Sequence, residues 1–164
     1  MSPDNILLRL PEEEDAYVRE VFDQLHARGL PKQYQTPHIT ITFAKHMEDC
    51  VVDRARELLP NLQPATFQRA GVVVFGTKSK QTIAWLLEVD PELEAAAREL
   101  SALNPEGRGE RWVPHLTVGL RIPRTLVPEY IGALDDVTSG HFKTITGQHA
   151  YLWQPRLEKL TDLS

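Results

Sequence analysis

Cysteine is almost absent from this 164-residue chain. Cys50 stands alone, which rules out an internal disulfide and suits a reducing compartment. Positive charge is short as well: 18 Lys and Arg against 23 Asp and Glu give a formal net charge of −5. The molecule as a whole therefore does not attract long nucleic acid, and any RNA contact has to come from a local patch. No apolar stretch approaches the roughly 18 residues of a membrane span. The start, Met1-Ser2-Pro3-Asp4-Asn5, lacks the basic residues of a secretory signal, and Ile6-Leu7-Leu8 is too short for its apolar segment. These absences lead to the expectation of a cytoplasmic protein that does not engage the membrane.

Several chemical signatures are missing too. There is no Gly-x-Ser-x-Gly elbow for a serine nucleophile. There is no phosphate-cradling glycine-rich loop and no lysine-centred nucleotidyl-transfer motif, which weighs against ATP-driven ligation. There is no His-Glu-x-x-His or similar zinc cluster; a metal site would have to recruit His141, His149 or a distant carboxylate as a further ligand. No metal and no cofactor are expected.

What the chain does contain is one short pattern written twice, Pro37-His38-Ile39-Thr40-Ile41 and Pro114-His115-Leu116-Thr117-Val118. Side chains alternate across a strand, so each copy sets His and Thr on one face and its aliphatic residues on the other. The surroundings repeat as well. Ile6 to Leu10 reads as a strand running into Pro11-Glu12-Glu13-Glu14, an acidic helix start with proline in its first turn, and Ala84 to Val89 runs in the same way into Pro91-Glu92-Leu93-Glu94. The prolines lie 80 residues apart and the histidines 77. A helix candidate follows each motif, and then a hairpin-like stretch, Thr66 to Phe75 and Phe142 to Trp153.

Two copies of one unit are thus expected, in repeats of roughly 4–76 and 82–154, with strands open to exchange between the lobes. The length favours a single compact domain, 1–164. The fold class is α+β: a bilobal, pseudo-twofold duplicated fold, with two mostly antiparallel sheets forming a central cleft and helices on the outside. Helices are expected over Asp15–Leu25, ended by Gly29; over Glu48–Leu59, stopped by Pro60; over Glu92–Leu103; and, more weakly patterned because of Gly132, over Val127–Leu134. The polar, glycine-containing segment Asn104 to Trp112 reads as a loop leading into the second motif.

Histidine titrates near 6.5, so of two imidazoles one can be neutral and the other protonated at the same pH. Placed on opposite sides of a phosphodiester, one takes a proton from water or a hydroxyl while the other gives one to the leaving oxygen. The threonine hydroxyls can hydrogen-bond non-bridging phosphate oxygens and stabilise the charge developing there.

At these residues the chain resembles the 2H phosphoesterases, in particular the LigT-like bacterial 2'-5' RNA ligases and RNA 2',3'-cyclic phosphodiesterases. The resemblance covers essentially the whole chain. It implies a metal-independent site in which His38 and His115 are catalytic and Thr40 and Thr117 bind the phosphate of a 2',3'-cyclic RNA or nucleotide end. It also implies hydrolysis, with reversible 2'-5' joining, by a monomer. Two departures stand out. Many members carry Arg five residues after the second His, whereas Leu120 stands here and Arg121 follows; unbroken strand parity would put Arg121 on the His115 face. Phe43-Ala44-Lys45 replaces the common Phe-Leu-Gly, which makes Lys45 a candidate phosphate contact. Further candidates for substrate binding are Tyr34 and Trp112 as stacking platforms and Arg111 in a basic patch with Arg108, Arg121 and Arg124. Phe75, Trp85 and Trp153 are expected in the core. The alternative to an enzyme is a non-catalytic module of the same fold that binds RNA ends or nucleotides.

Overall fold

The computed structural model describes residues 2–164. Its strands and helices in chain order are β1 (Asp4–Arg9), α1 (Glu12–Ala27), β2 (His38–Ala44), α2 (Asp49–Leu58), β3 (Ala65–Phe75), β4 (Lys80–Glu88), α3 (Pro91–Leu103), β5 (His115–Pro123), α4 (Val127–Val137), β6 (Thr144–Gly147), β7 (His149–Gln154) and β8 (Lys159–Asp162). The helix ends follow the chemistry of the sequence. After α1, Gly29 adopts φ +87°, its N–H bonds to the His26 carbonyl, and Leu30 N–H reaches back to Leu25. This is a Schellman closure, with Leu25 and Leu30 buried against the end of the helix. At the start of α3, Asp90 accepts a hydrogen bond from Leu93 N–H at 2.9 Å, and Pro91 occupies the first turn. No helix is long and apolar enough to cross a membrane.

All strand pairs are antiparallel, and the strands form one sheet in the order β6-β3-β4-β5-β2-β1-β7-β8. Its two four-stranded halves meet at a single pairing, Ile39 with Leu116. The two sheets expected from the sequence are therefore halves of one sheet with a narrow joint. That sheet has to bend. Strands β6 and β7 stand six positions apart, about 29 Å on a flat sheet, yet Gly147 and His149 are two residues apart in the chain and can be separated by only about 7 Å. Folding about the joint brings the halves together, and Gly147 closes against Leu8 of one half and Phe67 of the other.

The duplication is visible in the register. Leu8 pairs with Ile39 and Trp85 with Leu116; Arg9 pairs with His38 and Leu86 with His115. Each pair recurs 77 positions later. Even the irregularities recur. Opposite Ile6 and Leu7 the β2 strand carries an extra residue, Ile41, between Thr42 and Thr40, and opposite Ile83 and Ala84 the β5 strand carries Val118 between Gly119 and Thr117. Each bulge follows directly on a motif threonine. Bulges of this kind re-aim neighbouring side chains.

The hairpin-like stretches turn out differently. Thr66 to Phe75 lies within a single long strand, β3, in which Gly71 marks a register slip after Arg69 and not a turn. Phe142 to Trp153 contains β6 and β7, which pair with β3 and β1 respectively and not with each other. β3 thus follows β2 in the chain but joins the half that holds β4 and β5. Ile39, Leu116, Trp85, Val21, Leu25, Leu100 and Leu134 belong to one buried cluster, so the helices cover the sheet face that carries the motif aliphatics. Trp85 is core as expected, whereas Phe75 and Trp153 are only half-buried and lie outside that cluster.

Candidate active site

On the face opposite the core, His38, Thr40, His115 and Thr117 are half-buried while Ile39, Ile41, Leu116 and Val118 between and beside them are buried. The Ile39–Leu116 pairing joins the equivalent residues of the two repeats, so a local twofold axis passes through it. Continuing the antiparallel register by one residue each way sets Thr117 across from His38 and His115 across from Thr40. Such neighbours have Cβ atoms about 5 Å apart.

The two imidazoles are held in the same way. His38 Nδ1 lies 2.7 Å from the Thr36 carbonyl oxygen and His115 Nδ1 lies 2.7 Å from that of Val113. A carbonyl oxygen can only accept, so each ring carries its proton on Nδ1. This leaves both Nε2 atoms free, able to accept a proton when the ring is neutral and to donate one when it is charged. Burial pushes both rings below the usual histidine value of 6.5; the charge of His115 and of Arg9 depresses His38 further, and that of Arg108 depresses His115. The effect of His115 on His38 is a sign of their proximity. Phe75 packs against His115 with ring centroids 4.7 Å apart.

Beside His115 lies a cavity of about 80 Å³ whose inner surface is mainly apolar, with Thr40, Phe43, Arg108, Arg111 and Trp112 among its walls. The loop that builds it, residues 104–114, is fastened to the strand of the other motif. Trp112 Nε1–H donates to the Thr40 carbonyl at 2.9 Å, buried Asn104 donates to the Thr42 hydroxyl at 2.9 Å and the Phe43 carbonyl at 3.0 Å, and Lys45 N–H donates to the Glu106 carboxylate. The reverse brace also exists: Gln33, in the loop before β2, accepts from Leu120 N–H of β5 at 2.8 Å. Each histidine loop thus grips the opposite motif strand.

The remaining candidates separate. Arg111 and Trp112 join Thr40 and His115 around the cavity. Tyr34 stands in solvent, 81% exposed, under the Lys32 ammonium. Lys45 is not brought to the histidines: the extended run from His38 to Ala44 is about 20 Å long, and Lys45 lines a second cavity with His46 and Arg156. The parity argument for Arg121 fails, because a second slip on β5 places Leu120 and Arg121 between Gly119 and Ile122 opposite the single residue Thr82, and Arg121 takes φ +54°. Three site residues were missed in the sequence. Arg9 lies across from His38. Asn5 donates through Nδ2 to the Thr40 hydroxyl at 3.0 Å. Phe75 was assigned to the core. The signal for the first two was their alternation with the apolar Ile6 and Leu8, which puts them on the motif face. Among the described residues no three His, Cys, Asp or Glu come together as a metal-binding group, and His149, weighed above as a zinc ligand, is engaged by Asp162 at 2.8 Å.

An antiparallel α+β fold whose two His-x-Thr strands meet at Ile39 and Leu116 fits the 2H phosphoesterase class that the sequence resembles. The chain belongs to the 2'-5' RNA ligase superfamily, whose family model matches residues 11–153. A comparison with curated protein sequences finds no match.

Proposed function

We propose that this protein hydrolyses 2',3'-cyclic phosphate ends of RNA or small nucleotides in a metal-independent reaction. The observation that supports this reading is the matched anchoring of His38 and His115 through Nδ1, which leaves both Nε2 atoms free for proton transfer. One neutral imidazole takes a proton from water as the water oxygen bonds to phosphorus. The bond from phosphorus to one ribose oxygen breaks, and that oxygen receives a proton from the second, charged imidazole. Thr40 and Thr117 donate to the non-bridging oxygens, where negative charge builds. The product is a phosphate monoester. Run in the same direction with a ribose 5'-hydroxyl in place of water, the same proton exchange breaks the bond from phosphorus to the 3' oxygen and joins ends through a 2'-5' linkage, in keeping with the name of the superfamily.

The apolar cavity beside His115 suits a nucleobase, with Trp112 and Phe43 offering faces for stacking and Arg108 and Arg111 supplying the local positive charge that the acidic chain otherwise lacks. Arg9 adds a cation on the His38 side. The protein is read as a cytoplasmic monomer. Incubation with 2',3'-cyclic AMP in excess EDTA, followed by phosphorus NMR, is expected to give a monoester. No turnover of that compound or of a cyclic-ended oligonucleotide would leave a binding module, and loss of activity with chelator would move the chemistry to a metal.

A further inference from the structure

The two half-sites are not equal. Thr40 has a partner that Thr117 lacks: Asn5 Nδ2 donates to the Thr40 hydroxyl oxygen at 3.0 Å, whereas no side chain among the described residues hydrogen-bonds Thr117. By the 77-residue offset the position equivalent to Asn5 is Thr82, which makes no such bond. The rest of the Asn5 amide is informative, since its Oδ1 is buried without a partner. Turning the amide over would bury two unpaired N–H groups in place of one oxygen and would give up the donor to Thr40, so the orientation with nitrogen towards the hydroxyl is favoured.

A hydroxyl has one proton and two acceptor positions. We propose that Asn5 is a positioning residue that occupies an acceptor position of Thr40 and so turns the Thr40 proton towards the substrate phosphate, pre-orienting the donor in the first half-site only. This rests on the phosphate reading of the cleft given above. A donor aligned before the charge develops needs no reorientation in the transition state, which is where such groups act most strongly. In the second half-site the Thr117 hydroxyl turns freely and pays that cost on binding.

The test replaces Asn5 with a group of equal size and opposite hydrogen-bond sense. In Asn5→Asp the carboxylate accepts, so the Thr40 proton turns to it and away from phosphate; in Asn5→Ala the hydroxyl is merely released. Turnover of 2',3'-cyclic AMP should fall in kcat by about 10- to 100-fold in N5D, and by less in N5A. The new negative charge of N5D could also repel phosphate, so both substitutions are repeated in Thr40→Val. There, Asn, Ala and Asp at position 5 should give rates within about twofold of one another, because no hydroxyl is left to orient. Wild-type rates in N5D, or an N5D loss undiminished in T40V, would overturn the proposal while the cyclic phosphodiesterase reading stands. If N5D does not fold, N5A in the two backgrounds still decides it. If the wild-type chain does not turn the substrate over, affinity for inorganic phosphate by phosphorus NMR gives the same comparison: the position-5 effect confined to chains with Thr40 supports the proposal without the hydrolysis. A wild-type chain that binds no phosphate overturns both.

Discussion

Replacing Asn104 with leucine tests how the cavity loop is held. Asn104 is 4% exposed and makes three side-chain hydrogen bonds: Nδ2 to the Thr42 hydroxyl and the Phe43 carbonyl, and Oδ1 from Glu106 N–H at 3.1 Å. Leucine is similar in size, so the principal loss is polar. Three bonds at about 1 kcal/mol each give about 3 kcal/mol, with the orphaned, buried Thr42 hydroxyl the costliest part. For a chain of this length that is a fall of about 6–12 °C in Tm. The loop carrying Arg108, Arg111 and Trp112 is then fastened to β2 only through Trp112 and Glu106, so KM for a cyclic nucleotide should rise while the Nδ1 anchors of the histidines, made by other residues, stay in place. Thr42→Val should cost about 1 kcal/mol alone, yet recover about that amount in the N104L background, because an apolar pair leaves no hydroxyl unsatisfied. Thermal melts and steady-state kinetics of the four proteins measure this. Strict additivity of the two substitutions, or an unchanged Tm in N104L, would refute the bracing role.

The pH dependence follows from burial of both imidazoles, which lowers each below 6.5. The singly protonated pair is most populated between the two lowered values, so the bell of kcat/KM should peak on the acid side of pH 6.5, and an optimum above pH 7 would contradict this. Stability has the matching sign: as pH falls below 6.5 the unfolded chain takes up protons before the folded one, so stability drops until the lowered values are passed, and His38→Asn with His115→Asn should flatten that drop in denaturant titrations. Arg9→Met removes a charge that depresses His38, so NMR titration should show the His38 value rising and that of His115 changing little. A Cβ at Gly119 would meet the buried Tyr130 ring at 2.9 Å, whereas one at Gly132 meets nothing within 4 Å. Gly119→Ala should therefore cost about 1–3 kcal/mol, and Gly132→Ala, within α4, should add about 0.5–1 kcal/mol, both read by denaturant unfolding.

The repeat was legible in the sequence because its signals are local: a proline after a strand, a helix with apolar residues every three or four positions, and His and Thr two apart. What escaped is set by partners distant in the chain. Nothing in Thr66 to Phe75 says that it will pair with β4 of the other repeat, and a glycine that could have made a turn, Gly71, serves a register slip instead. Parity arguments hold only until a bulge, so the alternation that sets His and Thr on one face cannot be carried on to Arg121, which lies beyond one slip and within a second. Phe75 looked like core because its neighbours are apolar, but its strand ends beside His115. Asn5 and Arg9 are single polar residues in an apolar run, and their meaning appears only when β1 lies next to β2.

The most direct measurement of the central claim is turnover against binding in His38→Asn, His115→Asn and the double variant. With 2',3'-cyclic AMP in EDTA, each single variant should lose at least about 100-fold in kcat, the double variant should be little worse than either because the two rings act as one unit, and all should still bind 2'-AMP. Full turnover in either single variant, with the fold intact, would contradict a two-histidine site.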